Sequence, residues 1–206
     1  MKLNLGCGSQ VPEGWTNVDY ALGARFAKIP LFLLLNRKLR LFNLDWNKNI
    51  YLHDLTKTFP WADCSTDVVY TSHTLEHFSK EAGRRFLKEC YRVLRKNGII
   101  RIVVPDLRYL VVEYLEGRSR ADEFVASLGV LYASSDSGLK NRLSPFIQFP
   151  HIHKCMYDSS TLLEILKETG FDASSRAAFD SDIDDIRSVE AEGRTENAVI
   201  VEGRKQ

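Results

Sequence analysis

Residues 2–5, Lys-Leu-Asn-Leu, read as a short strand that runs without a spacer into Gly6-Cys7-Gly8. That junction constrains the fold more than any other feature of the chain. A strand ending in Gly-x-Gly brings bare backbone close to a ligand, because a Cβ at either glycine would collide with it. The rest of the chain keeps a matching rhythm. Residues 15–20 form a second strand pattern ending at Asp19, and residues 50–55 a third ending at Asp54. Residues 67–72, rich in β-branched and aromatic side chains, give a fourth, and 99–105 a fifth that Pro105 stops. Between the last two, Ser79 caps a helix that Gly98 closes, its apolar stripe formed by Phe86, Leu87, Cys90, Val93 and Leu94. A further helix over 160–171 has its own glycine stop, and 197–204 is a closing strand. Strands alternating with helices predict a Rossmann-like α/β fold, a mostly parallel sheet flanked by helices.

Two segments break the rhythm. Residues 21–49 insert between the second and third strands, and residues 106–158 follow the fifth, opening with a helix that Asp106 starts. Ligands of open α/β sheets bind at the carboxyl edge of the strands, so both inserts are expected to serve as lid or acceptor-side elements of one domain spanning 1–206. Residues 25–42 mix Arg25, Lys28, Arg37, Lys38 and Arg40 with a strongly apolar run. The favoured reading is a lid or a dimer contact; a peripheral contact with an anionic inner membrane face is the rival.

Composition narrows the classes. The 206 residues carry 28 basic and 27 acidic groups, for a net charge of +1, which gives no electrostatic footprint for nucleic acid. The four cysteines lack C-x-x-C spacing and read as reduced thiols of a cytoplasmic protein. The N-terminus lacks the apolar stretch of a signal peptide.

The strand ends carry the chemistry. An acid where Asp19 stands commonly accepts both hydroxyls of a ribose, and Asp54 with Leu55 could grip an adenine. A nicotinamide site fits poorly. Its G-x-G-x-x-G would need a glycine where Val11 stands, and its acid about 20 residues further on rather than at Asp19.

Together, "LNLGCGS", "GWTNVD", "HDLTKTFPWADCSTDVVYTSHTLEHF", "LKECYRVLRKNGIIRIVVPDL" and "HKCMYD" resemble class I S-adenosylmethionine-dependent methyltransferases. More narrowly they resemble the methyltransferase-11-like bacterial branch associated with polysaccharide and cell-envelope biosynthesis. The resemblance implies a seven-stranded sheet with the last strand antiparallel, S-adenosyl-L-methionine as cofactor and S-adenosyl-L-homocysteine as product. Carried over by position, Gly6, Cys7 and Gly8 would cradle the methionine part and ribose, Asp19 the ribose hydroxyls, and Asp54 with Leu55 the adenine. Ser72 and His73 would border the methionine end. The family's acid two residues before the first glycine is replaced by Asn4, which can hydrogen-bond to the cofactor but brings no charge.

Methyl transfer from a sulfonium mainly needs alignment and exclusion of water. A hydroxyl acceptor must also lose a proton, so His73 is the expected base, with His153 and Tyr157 as further candidates from the acceptor side. The expected acceptor is a small molecule or saccharide, with oxygen favoured. The stretch His73-Thr74-Leu75-Glu76-His77 also spells H-x-x-E-H, an inverted zinc-peptidase pattern. A zinc hydrolase needs both histidines inside one continuous helix. Here His73 leaves a strand and Ser79 starts the helix, so no metal site is expected. His151, His153 and Cys155 alternate in "HIHKC" but lack a fourth ligand at short spacing. The remaining rival is a catalytically silent cofactor-binding partner of another enzyme.

Overall fold

In the computed structural model, residues 1–29, 47–130 and 152–206 are described. Seven strands form one sheet: β1 (Lys2–Leu5), β2 (Thr16–Asp19), β3 (Tyr51–Leu52), β4 (Thr66–Ser72), β5 (Leu94–Pro105), β6 (Phe171–Ser175) and β7 (Ala198–Lys205). Their order is β3-β2-β1-β4-β5-β7-β6. Strands β1 to β5 pair in parallel, whereas β7 runs antiparallel to both β5 and β6. The expected Rossmann-like seven-stranded sheet with an antiparallel last strand is therefore present.

The central strands are apolar on both faces, as strands covered by helices must be. Alternate residues divide cleanly. Ile100, Ile102 and Val104 of β5 join one cluster with Val199 and Val201 of β7. Ile99 and Val103 join the other with Ile200, Val68 and Tyr70. Side chains of successive strand residues point to opposite faces, so this period of two places each residue without ambiguity. Helices α2 (Lys80–Val93) and α5 (Ser159–Thr169) cover the first face through Phe86, Leu87, Cys90, Leu162 and Leu166. Each such buried aliphatic or aromatic side chain contributes about 1.5–3 kcal/mol.

The helix signals hold at their starts. Ser79 accepts the Ala82 N–H, Asp158 accepts the Thr161 N–H, and Asp106 opens α3 (Leu107–Leu115). Gly170 ends α5 at φ +109°. One expected stop is wrong. Helix α2 ends at Val93, not at Gly98, because Leu94 leaves helical geometry to pair with Thr66 of β4. Ile99 then pairs with Val68, so residues 95–98 bulge out of the strand with Asn97 at φ +64°. The short helices α1 (Leu22–Phe26), α4 (Ala121–Ser127), α6 (Ile186–Val189) and α7 (Glu192–Thr195), with a 3-10 turn over Leu75–His77, complete the described elements. Most of the basic apolar run expected to act as lid or membrane contact, and His151 with the loop before it, lie outside the described residues. Among those described, no helix is long and apolar enough to cross a membrane.

Candidate active site

The strand order reverses at β1, which has β2 on one side and β4 on the other. A crevice forms outside the carboxyl ends of the strands at such a switch point. A cavity of about 450 Å³ occupies it, bounded by Gly6 and Gly8 after β1, Asp19 ending β2, Asp54 and Leu55 after β3, and His73 after β4. Sequence reasoning therefore gathers six residues from four strand ends that the fold does bring to one place.

The glycine turn is fixed from below. Gly6 sits at φ +75°, and a Cβ on it would stand 2.0 Å from Thr74 Oγ1. Its N–H and that of Cys7 both donate to the Val18 carbonyl. The Gly8 N–H donates to Asp19 Oδ2 at 2.8 Å, while Asp19 Oδ1 accepts the Ala21 N–H at 2.7 Å. One carboxylate thus ties the glycine turn to the start of α1. An ionised carboxylate has about four acceptor sites, so these two bonds leave capacity for hydroxyl donors. Asp54 is held in the same manner by the N–H and hydroxyl of Thr56. Burial pushes its pKa up, but the two Thr56 bonds and Lys57 outweigh that and hold it below 3.8.

Three expected cofactor residues turn away from the cavity. Asn4 is buried, and its amide donates to the Gln10 carbonyl at 3.0 Å and to Asn17 Oδ1 at 2.9 Å. Asn17 in turn donates to the Pro12 and Trp15 carbonyls. The pair pins the loop that follows the glycines, so Asn4 supports the turn from beneath instead of meeting a ligand. Cys7 packs its side chain against Ala24 and Ile50. Burial, helped by Asp19, pushes its thiol up to about 12, so it stays protonated and contributes backbone alone. Ser72 is buried as well, and its carbonyl accepts Arg194 Nη1 at 3.1 Å.

His73 adopts the left-handed region at φ +51°, which few residues with side chains occupy. Its Nε2–H donates to the Arg194 carbonyl at 2.9 Å, and its Nδ1 stands 3.4 Å from Glu76 Oε1. Burial alone would lower its pKa, but the facing Glu76 carboxylate and the Arg194 carbonyl raise it above 6.5. With both nitrogens directed at protein groups, the ring shapes the cavity wall; its geometry does not present a base to an acceptor. Tyr157 is likewise misplaced as a catalytic group. It is buried in the main core, and its hydroxyl lies against Gly83 of α2, where burial raises its pKa. His153 lies just behind the cavity, its ring 5.1 Å from that of His77, which lines the cavity.

Arg194 is the residue that sequence reasoning missed. It sits on α7, directly before β7, and lines the cavity beside Gly8. No local pattern marks it, since its partners Ser72 and His73 lie over 120 residues away.

Residues 3–102 match the methyltransferase-11 family model, described as a methyltransferase domain. That match marks residues 3–102 as similar to a methyltransferase domain. Solved structures agree at the level of fold. An S-adenosylmethionine-dependent methyltransferase from Methanosarcina mazei is 15% identical, with 99% of this chain and 91% of that one covered and a TM-score of 0.52. One from Thermotoga maritima, described as a possible histamine N-methyltransferase, is 17% identical, covering 100% and 81% with a TM-score of 0.51. A third, from Archaeoglobus fulgidus, is 17% identical over 99% and 85%, with a TM-score of 0.50. No curated protein matches the chain in sequence. The residues fit the cofactor chemically. The Gly6–Gly8 turn borders the cavity with bare backbone, Asp19 has spare acceptor capacity for hydroxyls, and Arg194 supplies a cation.

Proposed function

We propose that the protein is an S-adenosylmethionine-dependent methyltransferase that transfers the methyl group to a hydroxyl of a small molecule or saccharide bound in the 450 Å³ cavity. The observation that carries the reading is the convergence of the glycine turn, Asp19, Asp54 with Leu55, and His73 at the carboxyl edge of four adjacent parallel strands. In this assignment Asp19 accepts the ribose hydroxyls, and Asp54 with Leu55 borders the adenine. Gly6 and Gly8 give the methionine part close approach to backbone. Arg194, beside Gly8, faces the carboxylate of that part, a pairing of opposite charges that also fixes its orientation. The bound cofactor supplies an electrophilic methyl on a sulfonium. The protein then has to hold the acceptor oxygen in line with that carbon and keep water out.

His73 enters the reaction as a positioning residue, braced by Glu76 and the Arg194 carbonyl. The proton-accepting role expected of it would require Nδ1 to turn from Glu76 toward the acceptor. The whole chain is read as one methyltransferase domain, with the segments around α1 and α3–α4 on the acceptor side. Incubating the protein with S-adenosylmethionine and a panel of hydroxyl-bearing acceptors tests the proposal through release of S-adenosylhomocysteine. Acceptor-dependent release supports it. Tight cofactor binding with no release on any acceptor would instead favour a silent cofactor-binding partner.

A further inference from the structure

We infer that Glu76, His77 and His153 form a binding site for a divalent first-row transition-metal ion on the wall of the cofactor cavity. The three side chains each offer one ligand atom, and these atoms all lie within 4.8 Å of one another. Two imidazoles and one carboxylate are a donor set suited to zinc or iron(II), leaving positions open for a further ligand. Bonds of about 2.0–2.2 Å at tetrahedral angles set ligand atoms about 3.4 Å apart, so a pair near the 4.8 Å limit would close by about 1.4 Å through side-chain rotation.

Each histidine is oriented as a ligand would be. His77 Nδ1–H donates to the Ile152 carbonyl at 3.2 Å, and His153 Nδ1–H donates to the Leu128 carbonyl at 2.9 Å. A backbone acceptor on one ring nitrogen fixes the ring's orientation, as outer partners do for metal-bound imidazoles. His153 is also packed against bare backbone. A Cβ on Gly129, which sits at φ +66°, would stand 2.6 Å from His153 Nδ1.

Glu76 is the independent observation. Its side chain is 0% exposed; Oε1 faces His73 Nδ1 at 3.4 Å, while Oε2 has no hydrogen-bond partner among the described residues. A buried carboxylate oxygen left without a donor is costly, and a bound cation would satisfy it. Its main chain shows that the place is built, because the Glu76 carbonyl accepts the N–H groups of both Lys154 and Cys155. Those two bonds bring the His153 segment to the turn that carries Glu76 and His77. The H-x-x-E-H stretch thus supplies two ligands after all, but the third comes from 76 residues away, and His73 braces Glu76 instead of ligating.

His77 lines the cavity, so an ion held here could take an acceptor oxygen as its open ligand and lower the pKa of that hydroxyl. That role rests on the methyltransferase reading; the site itself does not. The test is calorimetric titration of Zn²⁺ into chelator-treated protein, in a Cys64→Ser background so that the exposed thiol of Cys64 cannot contribute. One equivalent is expected, with affinity falling about tenfold or more in His153→Ala and in Glu76→Gln. Circular dichroism on each variant separates lost binding from lost folding, and His77→Ala provides a third variant if one fails to fold. No binding by the parent protein, or undiminished affinity in folded His153→Ala and His77→Ala, would overturn the site. S-adenosylhomocysteine titrated into the same parent sample reports on the cofactor pocket separately. Nucleoside binding without zinc binding rejects the metal alone, and absence of both rejects the cofactor reading too.

Discussion

Gly6 is both part of the wall of the candidate site and a position with no room for a side chain. A side chain there would meet Thr74 Oγ1 at 2.0 Å and would also force a left-handed backbone on an L-residue. Gly6→Ala should cost about 2–4 kcal/mol, seen as a melting midpoint lowered by roughly 5–15 °C. A midpoint equal to wild type would mean that the turn is free to rearrange and is no rigid cradle. Arg194 permits a sharper functional test. Replacing it with Met should weaken S-adenosylhomocysteine about tenfold or more while leaving 5′-methylthioadenosine, which lacks the amino-acid part, nearly unaffected. Equal weakening of both ligands would place the Arg194 guanidinium elsewhere in the pocket.

At the scale of elements, one buried arginine connects the far end of the sheet to the site. Arg101 of β5 is fully buried, and donates to Glu190 at 2.8 and 2.9 Å, to Glu202 of β7, and to the carbonyls of Asp180 and Ala177. These bonds staple the segment between β6 and β7 onto the sheet, and that segment leads directly into α7 with Arg194. Breaking a buried ion pair by removing one charge leaves the other uncompensated, so Glu190→Gln should cost about 3–5 kcal/mol in chemical denaturation. A loss below about 1 kcal/mol would show that the staple is not what holds this region.

The same scale explains what could be read from the sequence. Strands β1, β2, β4, β5 and β7 were legible because their buried faces demand β-branched and aliphatic runs. Strand β6, Phe171–Ser175, has only Phe171 buried and lies at the sheet edge, so hydrophobicity gives no warning of it. The end of α2 was misread because Leu94 continues the apolar stripe of the helix while its backbone already belongs to β5. Gly6, Gly8, Asp19 and Asp54 were legible because each sits at a strand end, where position alone implies the crevice. Arg194, and the meeting of Glu76 with His153, depend on contacts between distant segments that no local pattern encodes.

For the whole molecule, acid sensitivity follows from the carboxylates. Asp67 is held down by a hydrogen bond from the N-terminal ammonium, Asp158 by the Thr161 N–H, and Asp182 by Arg204, each below 3.8. Their folded pKa values lie under the unfolded ones, so the unfolded chain binds more protons at acid pH. The stability they contribute is present above about pH 4 and is lost as pH falls through the folded values. Melting midpoints should therefore drop steeply below about pH 4, and the drop should be shallower in Asp158→Asn. An identical acid profile in that variant would remove Asp158 from the explanation.

The central claim is that the crevice at the switch between β1 and β4 holds S-adenosylmethionine through Asp19. Equilibrium titration of S-adenosylmethionine into wild-type protein and into Asp19→Asn tests it most directly. We expect saturable one-to-one binding to the wild type, and an affinity lower by about tenfold or more in the variant, whose amide has lost one acceptor oxygen. Wild-type affinity in a folded Asp19→Asn protein, or no binding to the wild type, would contradict it.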